Sequence, residues 1–138
     1  MVASTGLRGR LAGKSSEMAL KGPWVPDRRD MIWLDCNPEA GREMRDVHPF
    51  LVLSPKVFNE RTGIVIGLPM TTAAFNETNP FAIKYVGPGR KASYVLGHQP
   101  KSFDWRMRAA KPHPWKQVPE DLFTRACETL NQIIDVGT

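Results

Sequence analysis

A run of cationic and aromatic residues between positions 101 and 116 is the part of the chain whose residue types best suit ligand binding. It contains five cations, one acid and two tryptophans, and the tryptophans lie between the cations. In chain order these residues are Lys101, Asp104, Trp105, Arg106, Arg108, Lys111, Trp115 and Lys116. Cationic side chains neutralise phosphates, and exposed aromatic rings stack on unpaired bases. The segment therefore indicates a single-stranded nucleic acid as ligand. The alternative is that both tryptophans belong to the core and the charges form a solvated rim.

The sequence holds no pattern typical of a metal site or of a phosphate-binding loop. Cys36 and Cys127 lie 91 residues apart, and neither belongs to a C-x-x-C pair or to a cluster with histidine. We therefore expect two reduced thiols in the core of a cytoplasmic protein, with a single disulfide as the alternative. Gly13-Lys14-Ser15 lacks the glycine five positions before Gly13 that a phosphate-binding loop requires. No metal and no cofactor are expected.

Length and composition predict one globular domain preceded by a basic leader. The chain has 138 residues, 41% of them hydrophobic, which is enough to bury a core, and it has no apolar run long enough to cross a bilayer. Of the formal net charge of +5, residues 1–22 carry +3, and they lack the apolar stretch of a signal peptide. We expect residues 1–22 to form a flexible leader and residues 23–138 to form the domain.

Short apolar runs separated by turn residues predict a small β-barrel or sandwich. The expected strands are 31–34, 50–54, 64–70, 81–85 and 94–96, with a sixth at 100–103. Pro119-Glu120-Asp121 suits a first helical turn, and apolar residues then recur every three or four positions. The predicted fold is mainly β (α+β), with one amphipathic C-terminal helix that covers the barrel and ends near Asp135. His113 lies between two prolines and is expected in a surface loop.

Five segments follow one another along residues 25 to 134 in an order that carries a resemblance. They are VPDRRDMIWLDCNPEAGREMRDVHPFLVLSPKVFN, TGIVIGLPMTT, NPFAIKY, HQPKSFDWRMR and the helix PEDLFTRACETLNQII. The first contains an I-W-x-D strand, a loop with Pro, Gly and Glu, and an apolar strand that ends in V-L-S-P. Together they resemble the MazF/PemK (Kid) family of toxin endoribonucleases.

The resemblance implies an SH3-like (CcdB/PemK-like) β-barrel that forms a homodimer and cuts single-stranded RNA such as mRNA without a metal. It also implies a cognate antitoxin, which neutralises the toxin and binds DNA together with it. In this family the 2′-OH of the RNA is the nucleophile, so cleavage needs a base, an acid and donors for the phosphoryl oxygens. The resemblance implies catalytic roles for Thr71 and Glu43, and an RNA contact for Thr72. A toxin of the CcdB gyrase-poison type, which shares the barrel and acts by binding, is the alternative.

The chain departs from the family pattern at His48, which precedes Pro49 where the family has an arginine. Arginine is always cationic and offers a planar fork of donors, whereas an imidazole offers fewer donors and is mostly neutral at pH 7. Three interpretations stay open. His48 acts as the acid or base, or Arg45 supplies the lost charge, or catalysis is impaired and the protein acts by binding.

A second departure is His98, where the family commonly has an acid before Gln99. We expect Gln99 to read a base edge, and we expect phosphate contacts from Lys101, Arg106 and Arg108. One interpretation is that His98 contacts the RNA and forms an acid–base pair with His48. The other is that His98 lies exposed at a strand end. An acidic, extended antitoxin segment is expected to occupy the same basic groove between barrel subunits.

Overall fold

A computed structural model describes residues 23–35 and 47–137 and shows a curled antiparallel sheet. Its strands are β1 (Asp30–Asp35), β2 (Val47–Val52), β3 (Ile64–Thr71), β4 (Ala82–Val86), β5 (Ala92–Leu96), β6 (Lys101–Asp104) and β7 (Lys111–Gln117). The helices are α1 (Lys56–Thr62), α2 (Glu120–Ile133) and a 3₁₀ helix (Ala74–Thr78). The predicted mainly β fold with a C-terminal helix is confirmed.

Strand β3 joins the two parts of the sheet, because it changes its partner along one of its edges. Along one edge it pairs with β2, where Phe50 lies opposite Pro69. Along the other edge residues 64–67 pair with β6, whereas Met70 and Thr71 pair with β5. Strands β5 and β6 therefore separate near the middle of β3, and this separation leaves room for a cleft.

The sheet buries side chains on both of its faces, since successive residues of a strand point to opposite sides. One core cluster lies between the sheet and α2 and consists of Met31, Leu51, Leu68, Met70, Ile83, Val95, Val118, Leu122 and Ala126. The cluster on the opposite face consists of Val25, Ile32, Leu34, Phe50, Val52, Val65 and Trp105. At Gly67 a Cβ atom would lie 2.0 Å from the carbonyl oxygen of Leu51, so only glycine permits this close approach of β2 to β3.

Trp105 belongs to the core rather than to a ligand-binding surface. Its side chain is 7% exposed, and its indole N–H donates a 2.7 Å hydrogen bond to the carbonyl oxygen of Asn59. Asn59 is itself fully buried, and its amide donates to the carbonyl oxygens of Pro26 and Ser54. The core alternative is thus confirmed for Trp105, while Trp115 is half-buried.

The largest departure from the predicted elements is β7, which the sequence did not indicate. His113 was expected in a surface loop, and this prediction was wrong. The imidazole lies on β7, is 7% exposed, and packs against the indole of Trp33 with 4.6 Å between ring centroids. The flanking Pro112 and Pro114 are tolerated because β7 is the edge strand of the sheet and, among the described strands, pairs with β1 alone.

Smaller differences concern the ends of the elements on either side of the turns. The second strand covers residues 47–52 rather than 50–54, because the chain bends after Val52 and α1 begins at Lys56. Helix α1 was not predicted, since its seven residues are too few for a helical repeat to be visible. Helix α2 ends at Ile133 rather than near Asp135.

Cys127 is a free thiol on α2, as expected of a reduced cysteine. Its side chain is half-buried, and burial raises the pKa of the thiol. Cys36 lies outside the described residues. No helix in the described ranges is both long and apolar enough to cross a membrane.

The burial of His113 predicts a pH-dependent stability. Burial lowers the pKa of this imidazole, and its Nδ1 accepts a hydrogen bond from the backbone N–H of Trp115 at 3.1 Å. As the pH falls below the pKa of about 6.5 in the unfolded chain, the unfolded state binds more protons than the folded state. We therefore expect the free energy of unfolding of the wild type to fall between pH 7.5 and 5.5 relative to that of a His113→Gln variant.

Urea denaturation at a series of pH values measures this difference. A Thr124→Val variant, which alters an exposed side chain without removing a titratable group, serves as the control and should keep the wild-type pH dependence. Equal pH slopes for the wild type and His113→Gln would contradict the assignment.

Candidate active site

A cleft of about 580 Å³ opens where β5 and β6 separate along β3. Its wall is formed by β2, by β6, by the ends of β3 and β5, and by the turns that follow β5 and β6. The lining residues are His48, Pro69, Met70, Thr71, Leu96, Gln99, Lys101, Ser102, Phe103 and Arg108. The cleft thus brings together five of the residues that the sequence marked for catalysis or RNA binding.

The register of β2 and β3 explains why His48 and Thr71 share this cleft. Phe50 lies opposite Pro69 in the ladder, so the same antiparallel register continued by two residues places His48 opposite Thr71. On its other side His48 pairs with Leu34 of β1, and its side chain is half-buried. An imidazole and a hydroxyl from neighbouring strands therefore reach one wall of the cleft.

The Thr71 hydroxyl is oriented by the backbone that follows it. Its Oγ1 accepts a hydrogen bond from the N–H of Ala73 at 3.1 Å, which fixes the side chain in a turn at the end of β3. A hydroxyl that accepts one bond retains its own proton for donation. Thr71 can therefore donate to an oxygen atom of a bound ligand.

The guanidinium of Arg108 is held in the cleft by two contacts, and a backbone hydrogen bond holds the residue itself. It lies over the ring of Phe103, with 4.9 Å from Cζ to the ring centroid, and Nη1 donates to the carbonyl oxygen of Asp35 at 3.2 Å. The backbone N–H of Asp35 in turn donates to the carbonyl oxygen of Arg108 at 3.2 Å. Because arginine stays cationic at all relevant pH values, this side chain gives the cleft a permanent positive charge.

Gln99 and Lys101 supply the remaining polar groups that the sequence predicted for this site. Both side chains are exposed, so they are accessible to a ligand. Lys101 begins β6 opposite Gly67 of β3, and Gln99 lies in the turn before it. An amide and an ammonium group therefore lie on the β5–β6 side of the cleft.

Other predicted residues lie elsewhere or outside the described ranges. The ring of His98 packs on Phe81 at 5.5 Å, and His98 is not among the residues that line the cleft with His48. The guanidinium of Arg106 lies 4.6 Å over the ring of Trp105 and donates to the carbonyl oxygen of Glu60, and it does not line the cleft either. Thr72 is exposed beside Thr71. Residues 36–46, with Glu43 and Arg45, are not described.

A carboxylate network fixes the segment that follows Thr71. Glu77, in the 3₁₀ helix, accepts hydrogen bonds from the Tyr94 hydroxyl and, at 2.9 Å, from the Lys84 ammonium group. The bond from Tyr94 and then the bond from Lys84 lower the pKa of Glu77. The bond to Glu77, together with burial, raises the pKa of Tyr94. Because Tyr94 lies opposite Thr71 on β5, the network ties the 3₁₀ helix to the strand beside the cleft.

Sequence reasoning missed the apolar lining and one hydroxyl of the cleft. Pro69, Met70 and Leu96 were taken as strand residues, and Ser102 and Phe103 were not singled out. Only the pairing of β6 with β3 brings them to the cleft, and no local pattern reveals that pairing. In the described ranges no three His, Cys, Asp or Glu side chains are grouped so that they could hold a metal ion.

Comparison with known proteins assigns the chain to a family. The profile of the PemK-like, MazF-like toxins of type II toxin–antitoxin systems matches residues 27–134. The chain belongs to the PemK/MazF toxin family. The match spans β1 to the end of α2 and therefore includes every residue that lines the cleft.

Named relatives of this PemK/MazF-type chain agree with the profile. The endoribonuclease toxin MazF of Escherichia coli K12 is 38% identical over 87 residues, which are 63% of this chain and 76% of the relative. The endoribonuclease PemK of Escherichia coli is 31% identical over 109 residues, which are 77% of this chain and 80% of the relative. The resemblance seen in the sequence is thereby confirmed.

Solved structures show the same fold. A MazE–MazF crystal structure from Deinococcus radiodurans superposes with a TM-score of 0.72 at 30% identity, over 83% of this chain and all of that chain. A mycobacterial endoribonuclease in complex with its cognate antitoxin superposes with a TM-score of 0.54 at 15% identity, over 83% of this chain and 97% of that chain. At that identity the second likeness concerns the fold alone.

The different surroundings of Arg108 and Arg106 predict different contributions to ligand binding by this PemK/MazF-type protein. We expect Arg108→Gln to weaken binding of a single-stranded oligonucleotide by about tenfold, because a charge-assisted phosphate contact is lost. The slope of log affinity against log salt should fall by about 0.7. Arg106→Gln is the matched control, with a smaller expected loss because its guanidinium is already engaged by Trp105 and Glu60.

Fluorescence anisotropy with an oligonucleotide that lacks all 2′-hydroxyl groups, and so resists cleavage by 2′-OH attack, measures both variants. Equal losses for the two arginines would show that the cleft is not the main phosphate-binding surface.

Proposed function

We propose that this protein is the toxin of a toxin–antitoxin pair, and that it is a metal-independent, sequence-selective endoribonuclease that cuts single-stranded RNA such as mRNA. The observation that carries the proposal is the meeting of His48 and Thr71 in one cleft with the cations Lys101 and Arg108. Two relatives at least 30% identical to this chain over the matched residues are endoribonucleases by name. A proton-transfer group, a hydroxyl donor and fixed positive charge are the groups that RNA cleavage without a metal requires.

The reaction proposed for the cleft is an internal transfer at phosphorus. The 2′-oxygen of the RNA forms a bond to phosphorus and loses its proton to a base, while the bond from phosphorus to the 5′-oxygen breaks and that oxygen takes up a proton. The products are a 2′,3′-cyclic phosphate and a 5′-hydroxyl end. Negative charge concentrates on the phosphoryl oxygens in the transition state, so donors and cations directed at them lower the barrier.

The cleft residues suit distinct parts of this reaction. We assign proton transfer to His48, because an imidazole both takes up and releases protons near neutral pH. Thr71 donates its hydroxyl proton to a phosphoryl oxygen, and Arg108 stabilises the charge that develops there. Lys101 contacts a flanking phosphate, and Gln99 reads a base edge. Glu43 and Arg45 keep the catalytic roles that the family resemblance implies, and these roles stay predictions.

Positive charge in the cleft also supports an antitoxin partner. An extended acidic segment that binds Lys101 and Arg108 would occupy the path of the RNA and so block cleavage. The Deinococcus radiodurans relative occurs in complex with MazE, which supports a partner of this kind. We further propose that the toxin is a homodimer and that toxin and antitoxin bind DNA together.

Cleavage of RNA in the presence of EDTA tests the proposed chemistry. We expect the purified protein to cut single-stranded RNA with chelator present and to leave cyclic phosphate and 5′-hydroxyl ends, which end labelling and mass spectrometry identify. A single 2′-deoxy substitution at the cleaved nucleotide should abolish cutting, because it removes the nucleophile. Growth arrest by a protein that cuts no RNA would favour the alternative, a CcdB-like or catalytically impaired toxin that acts by binding.

Substitutions in the cleft test the assigned residues. We expect His48→Ala and Thr71→Val each to lower the cleavage rate by about 10²- to 10⁴-fold, the range typical of a positioned proton-transfer group or transition-state donor. Thr124→Val, on the exposed face of α2, is the control for loss of a hydroxyl group and should cut at the wild-type rate. Survival of cutting in both cleft variants would show that the residues are wrongly assigned.

A further inference from the structure

An exposed aromatic ring lies on the segment that follows the cleft threonine. Phe75 is 77% exposed, although it belongs to a 3₁₀ helix rather than to a chain end. Burying a phenylalanine side chain is favourable, so a ring held in water on a fixed backbone gains free energy when a ligand covers it.

The backbone that carries Phe75 is fixed by hydrogen bonds on both sides. The buried Asn76 donates from its side-chain amide to the carbonyl oxygen of Ala73 at 3.1 Å, and its side-chain oxygen accepts from Asn79 at 3.0 Å. The carbonyl oxygen of Phe75 itself accepts from the Thr78 hydroxyl at 3.2 Å. The carboxylate network of Glu77 described above anchors the same turn to β4 and β5.

The turn also fixes how far the ring lies from the cleft. Phe75 is four positions after Thr71, so their Cα atoms lie at most about 14 Å apart even in a fully extended chain. The hydrogen bonds from Ala73 N–H to Thr71 Oγ1 and from Asn76 N–H to the Ala73 carbonyl oxygen bend the segment and shorten that distance. A single-stranded segment bound at Thr71 is therefore within reach of the residue that carries the ring.

The geometry points to Phe75 as a stacking residue for an unpaired base of the substrate RNA, next to the phosphate that binds at Thr71. The inference rests on the proposed function and adds a determinant of substrate binding to it. Bases of single-stranded RNA stack on exposed aromatic rings, and a ring on a fixed backbone loses little conformational entropy when it binds. Because stacking tolerates every base, Phe75 strengthens binding of the nucleotide next to the phosphate at Thr71, whereas Gln99 selects among bases.

Steady-state cleavage of a short RNA substrate tests this role. We expect Phe75→Ala to raise KM by about 5- to 100-fold, the range for loss of one stacked base, with a smaller change in kcat. Phe75→Trp should retain wild-type KM, and Phe75→Leu should lie between Trp and Ala because it keeps apolar area without the flat ring. Val136→Ala, which truncates an 86% exposed side chain after α2, should leave both parameters unchanged.

Abasic substrates identify the base that the ring contacts. The substrates each lack one base, at successive positions on either side of the cleaved bond. For the wild type, we expect KM to rise most when the base at one particular flanking position is missing. That same removal should leave the KM of Phe75→Ala unchanged, because the stacking partner is already gone.

Two results would overturn the inference while RNA cleavage itself persists. One is a wild-type KM for Phe75→Ala, and the other is an equal abasic penalty for Phe75→Ala and the wild type at every position. A shift in sedimentation mass with unchanged KM would assign the ring to a protein contact instead. Absence of RNA cleavage by the wild type is a separate outcome and contradicts the proposed function.

Discussion

The change of partner along β3 is the constraint on which the site depends. A strand has two hydrogen-bonding edges, and β3 gives one to β2 and divides the other between β6 and β5. The division falls at Leu68 and Pro69, and Pro69 has no N–H to offer a ladder. The two partner strands diverge there, and the gap between them brings Thr71 beside residues of β6 in the cleft. The cleft is thus a consequence of strand pairing, and its threonine lies on the strand that pairs with three others.

Charge in the cleft is distributed differently from what the family pattern implies. The position before Pro49 holds an imidazole rather than a guanidinium, and the guanidinium of the cleft comes from Arg108 on the turn after β6. Phe103 and the Asp35 carbonyl oxygen hold that guanidinium, so its position is set by contacts with β6 and β1. The proposed function assigns proton transfer to His48 and charge stabilisation to Arg108, so it divides between two side chains the roles of a reaction site that lacks arginine at position 48.

Sequence patterns predicted the strands and the helix whose own residues form a recognisable apolar pattern. Alternating or continuous apolar runs predicted six of the seven strands, and the spacing of Leu122 and Ala126 predicted α2. Strand β7 was missed because two prolines normally argue against a strand, and only its place at the edge of the sheet allows them. The burial of His113 and Trp105 could not be predicted, because each depends on a distant partner, Trp33 and the Asn59 carbonyl oxygen respectively. Chemical type marked the site residues, whereas their assembly required knowledge of the β3–β6 pairing.

The prolines of β7 have a consequence for association between molecules. An edge strand normally presents a row of unpaired N–H groups to which the strand of another copy can add, and such additions lead to aggregates. Pro112 and Pro114 have no N–H group, so β7 offers fewer donors to an added strand than an ordinary edge strand would. The composition of β7 therefore makes strand-by-strand growth less favourable at this edge of the described sheet.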